Sequence, residues 1–254
     1  MKILRAGFDR TENGYGNKDK KNWQKVSADC RKVETMAEKK LVALTFDDGP
    51  SVGTTDKVLD VLKENDIVAS FFLIGQKITE ESAYLVKRAY DMGCTMENHS
   101  KTHPGMTGLS DEEILEEISY TTNKIEEITG EKPAFFRPPY IDCDQRLFDL
   151  VDLGFICGYG CEDWLPEVSA EERTRRILEQ AHPGFIILVH DMEGNTRTVE
   201  AIKKIIPALK AQGYEFVTIR DLFAKSGKIP ERNTLYMDCL LYTSDAADER
   251  SSVD

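Results

Sequence analysis

No apolar run in the 254-residue chain approaches the roughly 18 residues a membrane-spanning helix needs. Basic charge is also short: 33 Lys and Arg against 45 Asp and Glu leave a formal net charge of −12. Nucleic acids and anionic membranes are bound through basic patches, so neither is expected as a partner; a neutral or cationic substrate fits better. The start, MKILRAGFDRTENGYG, has no apolar stretch behind its first basic residues and does not read as a signal peptide, which leaves the compartment open. Among the six cysteines (Cys30, Cys94, Cys143, Cys157, Cys161 and Cys239) there is no CxxC pair. Neither a zinc-ribbon nor a redox motif is written, and in a chain this long an even count is not a disulfide framework; all six read as reduced thiols. Histidine is scarcer still, at four.

What is present is an ordinary globular composition, 41% hydrophobic and 31% charged. From Leu41 onward short apolar runs alternate with amphipathic segments. Strands are predicted at Leu41–Phe46, Val68–Ile74, Thr95–Asn98, Ala134–Arg137, Phe155–Tyr159, Phe185–Val189 and Glu215–Thr218. Helices are predicted at Thr54–Asn65, Glu80–Met92, Asp111–Thr129, Gln145–Leu153, Ala170–Ala181 and Val199–Gln212. Ser110 with Glu113, and Ser169 with Glu172, have the spacing of capping boxes. Ile114, Leu115, Ile118, Ile125 and Ile128 follow a near-3.6 period, and Gly93, Gly130, Gly154 and Gly213 stand where helices should stop. Strict alternation with near-continuous apolar strands implies a parallel sheet covered by helices. Seven such units in about 180 residues suit a barrel better than an open sheet. Residues 1–39 have no clear period and read as an N-terminal extension. The ending from Cys239, CLLYTSDAADERSSVD, resembles a translated sequencing adaptor and is set aside, leaving 226–238 as a C-terminal remnant.

In either α/β architecture catalytic groups gather at the carboxyl ends of strands. Asp47-Asp48 ends the first strand, and NHSKTHP follows the third. RPPY closes the fourth, Glu162-Asp163-Trp164 follows the fifth, and His190-Asp191 ends the sixth, so three of the four histidines lie there. His99 and His103, spaced i, i+4, would face one way on a helical turn, a geometry suited to a shared metal. With one carboxylate they form a triad for Zn²⁺, Co²⁺ or Fe²⁺. One of Asp47 and Asp48 would bind the metal and the other take a proton from water, held ionised by an arginine such as Arg137. The plainer alternative is an Asx-turn with a solvated second acid. His190 would complete proton transfer with Asp163 as its partner. Trp164 suits core packing or the wall of a sugar groove equally.

TFDDGP, HSKTHP, RPPY, EDW and IILVHD, in this order, resemble the five motifs of the polysaccharide deacetylases (the NodB-homology domain, carbohydrate esterase family 4) over roughly Lys40 to Phe223. The resemblance implies a distorted (β/α) barrel of about seven parallel strands, a catalytic domain over 40–225. It also implies a divalent metal, Zn²⁺ or Co²⁺, and removal of acetyl groups from polysaccharides. By position, Asp47 resembles the general base, and Asp48, His99 and His103 the metal ligands. Arg137 resembles the residue that orients the base, and the backbone N–H of Tyr140 an oxyanion donor. Asp163 resembles the partner of His190, the general acid, while Trp164 and Leu188 would wall the acetyl pocket with Pro138 on the substrate side. Two positions depart from the family: Ile141 follows the RPPY tyrosine where glycine is usual, and Gly160 stands where many N-deacetylases carry a further aspartate. FICGYGCEDW and ENHSKTHPGMTGLS look more like the clostridial acetylxylan-esterase branch than the peptidoglycan branch. Rival readings are a catalytically silent carbohydrate-binding barrel, which would commonly lack the base or a ligand, and a structural metal domain, which would not need His190 or Arg137. No protein partner is implied.

Overall fold

The computed structural model describes residues 40–239 and 242–243, so the N-terminal extension and most of the adaptor-like tail lie outside the described residues. Seven strands pair in parallel: β1 (Lys40–Gly49), β2 (Ser70–Leu73), β3 (Thr95–Asn98), β4 (Phe135–Phe136), β5 (Gly154–Ile156), β6 (Phe185–His190) and β7 (Tyr214–Val217). The path runs β6-β1-β2-β3-β4-β5, with β7 on the first residues of β1. Beyond β5, Tyr159 forms a parallel bridge to Ile187 of β6, bringing the far side of the sheet back on itself. The result is the distorted (β/α) barrel expected. Two short strands, β8 (Leu235–Tyr236) and β9 (Tyr242–Thr243), extend it past β5, the last pair antiparallel.

The helices are α1 (Thr55–Glu64), α2 (Ala83–Asp91), α3 (Asp111–Thr129), α4 (Gln145–Leu150), α5 (Ala170–Gln180), α6 (Thr196–Ala211) and α7 (Ile219–Ser226). No described helix is long and apolar enough to cross a membrane. The period of two along β1 sorts its side chains. Val42, Leu44 and Phe46 join the large cluster that includes Val58, Leu62, Ile202 and Ile206 of α1 and α6. Leu41 and Ala43 join a second cluster with Phe72, Ile186 and the α7 residues Ile219, Leu222 and Phe223. In the segment 226–238 only the end is packed: Thr234, Leu235, Tyr236 and Asp238 are buried, whereas Ile229 is exposed.

Helix α3 begins as read: Ser110 Oγ accepts from Glu113 N, and Glu113 returns a carboxylate to Ser110 N. At α5 only half of the box forms. Ser169 accepts from Glu172 N, but the Glu172 carboxylate turns to Arg175 and Arg176. Leu115 is exposed, one position off the stripe that buries Ile114 and Ile125. Helix α4 stops at Leu150, short of Leu153, because Val151 is already extended. Gly154 therefore does not end a helix; it opens β5, where any side chain would meet the Phe135 ring. Helix α7 escaped the sequence reading because it follows β7 with only Thr218 between, capping Asp221 N. None of the described cysteines forms a disulfide.

Gly158, just past β5, has φ +112°, and a Cβ there would lie 3.0 Å from Ile186 O and 3.4 Å from Arg137 Nη2. Gly158→Ala should therefore destabilise the protein by about 1–3 kcal/mol through an unfavourable backbone conformation. Urea denaturation checks this; an unchanged midpoint would show that the β5 exit relaxes freely.

Candidate active site

The inward row of β1 runs Leu41, Ala43, Thr45, Asp47, changing from apolar to polar toward the carboxyl end. A regular strand would send Asp48 to the opposite face. It does not, because Asp47 pairs with Phe72 and Gly49 with Leu73, so Asp48 is an extra, bulged residue at φ +69°. The bulge brings both carboxylates to the barrel mouth.

Asp47 is 2% exposed and ion-paired with Arg137, which is fully buried. The guanidinium also donates to Thr45 Oγ1 at 3.0 Å and stacks 4.1 Å from the Phe72 ring centroid. Burial raises the Asp47 carboxyl above its ordinary value, while Arg137 and then His190 oppose the shift. A carboxylate of raised basicity, kept charged by a fixed cation, suits proton abstraction.

Asp48 meets His99 and His103. Their Nε2 atoms stand 3.5 and 3.4 Å from Asp48 Oδ1, and three candidate ligand atoms lie within 4.8 Å of one another. His99 Nδ1 is 2.6 Å from the Arg137 carbonyl, which can only accept, so Nδ1 carries the proton and Nε2 presents a lone pair. Burial, the largest influence, takes this imidazole down to about 3, leaving it neutral. Asp48 Oδ1 is buried without a hydrogen-bond partner. An orphaned carboxylate oxygen facing imidazole nitrogen is repulsive until a cation lies between them, so the donor set fits a divalent metal.

The histidine pair is not on a helical turn, as its spacing had suggested. Residues 99–105 form a loop in which Ser100 and His103 have φ +65° and +63°. Pro104 disfavours right-handed helix at His103. Convergence comes instead from Asn98 Oδ1 accepting Ser100 N (2.8 Å) and Ser100 Oγ accepting His103 N (2.9 Å). Glu117 of α3 accepts from Lys101 N and Thr102 N, and Thr121 donates to Ser100 O.

On the opposite rim, His190 Nδ1 lies 2.7 Å from Asp163 Oδ1, and His190 N donates to Oδ2. Asp163 Oδ2 also accepts from Thr198 Oγ1 (2.6 Å) and Asn195 Nδ2 (3.2 Å), and buried Arg173 donates to Thr198 Oγ1 and Asn195 Oδ1. Burial works against the Asp163 carboxylate, but bonds led by His190 hold it below its ordinary value. Burial alone would depress His190; the Asp163 hydrogen bond and charge, with Asp47 and Asp48 beyond, raise it to about 9. No described residue hydrogen-bonds its Nε2.

Tyr140 occupies a 3₁₀ turn, Pro139–Ile141, at φ +57°, with its ring exposed and edge-on to His103. Pro139 has no N–H, so Tyr140 supplies the first donor of the turn. Ile141 also sits at φ +54°, a conformation costly for a β-branched residue, where the resemblance led us to expect glycine. Trp164, half exposed, stands edge-on to His190, and a Cβ at Gly160 would touch both Trp164 Cζ3 and Leu188. Pro138 is buried, and its carbonyl accepts from Ile141 N.

Sequence reading missed Thr45, Glu117, Arg173, Asn195, Thr198 and Asp191. The Asp191 carboxyl is fully buried, with Oδ2 bonded to Thr55 Oγ1 at 2.5 Å, Oδ1 unpartnered, and its pKa pushed by burial up to about 7. It lies against Gly49, where a Cβ would approach to 2.6 Å. Asp191 stood in a quoted motif, which was a usable signal; the others are joined only by folding.

The polysaccharide deacetylase family profile matches residues 34–155, which contain Asp47, Asp48, both site histidines, Arg137 and Tyr140. A bifunctional xylanase/deacetylase of Pseudobutyrivibrio xylanivorans is 44% identical over 75% of this chain, which spans about a third (32%) of that protein. A peptidoglycan-N-acetylglucosamine deacetylase of Bacillus cereus is 36% identical over 73% of the chain and 69% of its own length. The structure of a family 4 acetyl xylan esterase from Clostridium thermocellum in complex with a cobalt ion has a TM-score of 0.77, is 38% identical, and covers 80% of this chain and all of its own (100%).

The His190 shift has a definite sign. Its folded pKa of about 9 exceeds the ordinary 6.5, so its stabilisation is complete below pH 6.5 and disappears as pH rises through 9. In metal-free protein His190→Gln should cost about 3 kcal/mol near pH 6 and much less near pH 10, read by urea titration at each pH. A pH-independent cost would contradict the Asp163–His190 pairing.

Proposed function

The chain belongs to the polysaccharide deacetylase family, and we propose that it is a metal-dependent hydrolase releasing acetate from an acetylated carbohydrate polymer. The observation that carries this reading is the unpartnered Asp48 Oδ1 facing two imidazole nitrogens, with a base on one side and an acid on the other. Asp48, His99 and His103 would hold the cation, zinc or cobalt. When bound, it supplies Lewis acidity, making a carbonyl carbon more electrophilic and water more acidic.

The chain's own residues do the rest. Asp47 takes the proton from the attacking water as its oxygen bonds to the acetyl carbon, and Arg137 fixes the direction of that carboxylate. The Tyr140 N–H faces the oxygen that gains charge. As the bond to the leaving sugar oxygen or nitrogen breaks, His190 gives its Nε2 proton to that atom, and Asp163 keeps the imidazole in the required tautomer. Trp164 and Leu188 wall the space for the methyl group.

For substrate we favour O-acetylated xylan over N-acetylhexosamine polymers, on the similarity to the xylanase/deacetylase and the acetyl xylan esterase. A silent binding barrel is not favoured, because residues able to serve as base, ligands and acid stand together at the barrel mouth.

The test is acetate release by metal-stripped protein reconstituted with Zn²⁺ or Co²⁺, on acetylxylan and chitooligosaccharides side by side. Release from xylan alone is expected; silence on both with metal bound would leave the hydrolase reading unsupported. Asp47→Asn should lower kcat by at least the roughly 10²–10⁴-fold typical of a lost general base while still binding metal. Intact turnover in that variant would refute the role of Asp47.

A further inference from the structure

The bulge that presents Asp48 leaves a carbonyl to be satisfied. Around it the backbone accounting is complete: Asp47 O accepts from Asp191 N at 3.1 Å, and Gly49 O accepts from Ile74 N at 3.0 Å. Asp48 O lies between them, out of the strand ladder. Its donor is a side chain, Lys77 Nζ at 2.8 Å.

Lys77 ends the 3₁₀ turn Gly75–Lys77, which follows β2 and belongs to none of the five motifs. The same turn holds the other metal-ligand segment. Gly75 N donates to Ser100 O at 2.9 Å and Gln76 N to Lys101 O at 3.0 Å, within the loop that carries His99 and His103. The turn is itself fixed. A Cβ on Gly75 would fall 2.3 Å from Thr121 Oγ1, and the Lys77 carbonyl accepts from Ser82 Oγ at 2.5 Å. One three-residue turn thus grips the aspartate segment through an ammonium and the histidine segment through two amides.

We propose that Lys77 is a positioning residue of the metal centre, and that the Gly75–Lys77 turn sets the separation between Asp48 and the two histidines. This rests on the reading of Asp48, His99 and His103 as ligands. An unsatisfied carbonyl at the bulge would favour rotation of the Asp48–Gly49 peptide, and that rotation carries the carboxylate with it. A contact of this kind acts on metal affinity more than on fold, because Lys77 is only partly buried and its side chain makes one bond to the bulge.

The test is Co²⁺ titration of metal-stripped protein, followed by the visible absorption of the bound ion and by chelator competition. Lys77→Met should weaken Co²⁺ binding on the order of 10-fold, as loss of a group supporting a ligand does, with unchanged far-UV circular dichroism. Lys77→Arg, which keeps a donor of similar reach, should recover most of the affinity. A Lys77→Met protein that binds within about two-fold of wild type overturns the proposal. If that variant does not fold, Lys77→Gln, too short to reach Asp48 O, serves with the same criterion. Asp48→Asn separates the two readings. Should it and wild type take up Co²⁺ alike, the metal-centre reading fails; should it lose Co²⁺ while Lys77→Met does not, only the role of Lys77 fails.

Discussion

Everything at the mouth of this barrel follows from putting two carboxylates next to each other and turning both inward. At an effective dielectric near 20, two unit charges about 4 Å apart repel by roughly 4 kcal/mol, and burial adds desolvation to that. The fold answers each charge differently. Asp47 is met by a guanidinium held against Phe72 inside the barrel, a permanent countercharge. Asp48 is given no donor at Oδ1, only two imidazoles, one of them fixed by a backbone carbonyl in the form that cannot donate toward it. A chain that gives one acid a built-in countercharge and leaves its neighbour facing a lone pair is built for a cation at the second.

The two sides of the cleft use burial to opposite ends. Asp47 and Asp163 are both enclosed, yet the first is raised and the second lowered. The difference is in the number of donors. Asp163 collects bonds from His190, Asn195 and Thr198, whereas Asp47 has the ion pair and little else around it. The well-bonded Asp163 in turn holds a proton on His190, so the pocket sets a carboxylate of raised basicity opposite a protonated imidazole, the pairing the proposed base and acid need.

Much of this was written in the sequence. The alternation of strands and helices, the start of α3 at Ser110, and the collection of unusual residues at strand ends all follow from local pattern. The i, i+4 spacing of His99 and His103 pointed to one shared face but to the wrong backbone, because left-handed residues and an Asn98–Ser100 turn do the work a helix was expected to do. Adjacency of Asp47 and Asp48 said that something odd ends β1 without saying that it is a bulge, since a bulge is defined by the partner strand. In RPPY, Pro138 is buried while Tyr140 is exposed: a motif fixes which residues travel together, while their neighbours in space decide which of them face solvent. Glu117, Thr198 and Lys77 have no local signature at all; each is remarkable only for what it meets across the fold.

The acid side bears on which bond the site can cleave. An ester leaves as an alkoxide that needs little help, whereas an amide nitrogen has to be protonated as it departs. An imidazole raised to about 9 is protonated throughout the neutral range, so the proton for an amide is available. A weak acid is also a reluctant donor, and the same pairing with Asp163 that keeps the proton on His190 lowers the driving force for giving it away. Ester cleavage tolerates that compromise better than amide cleavage. On the proposed reading, the balance between ester and amide cleavage would turn on how far Asp163 and the charge of Asp47 and Asp48 hold His190 in its cationic form, a hold that a cation at Asp48 would loosen.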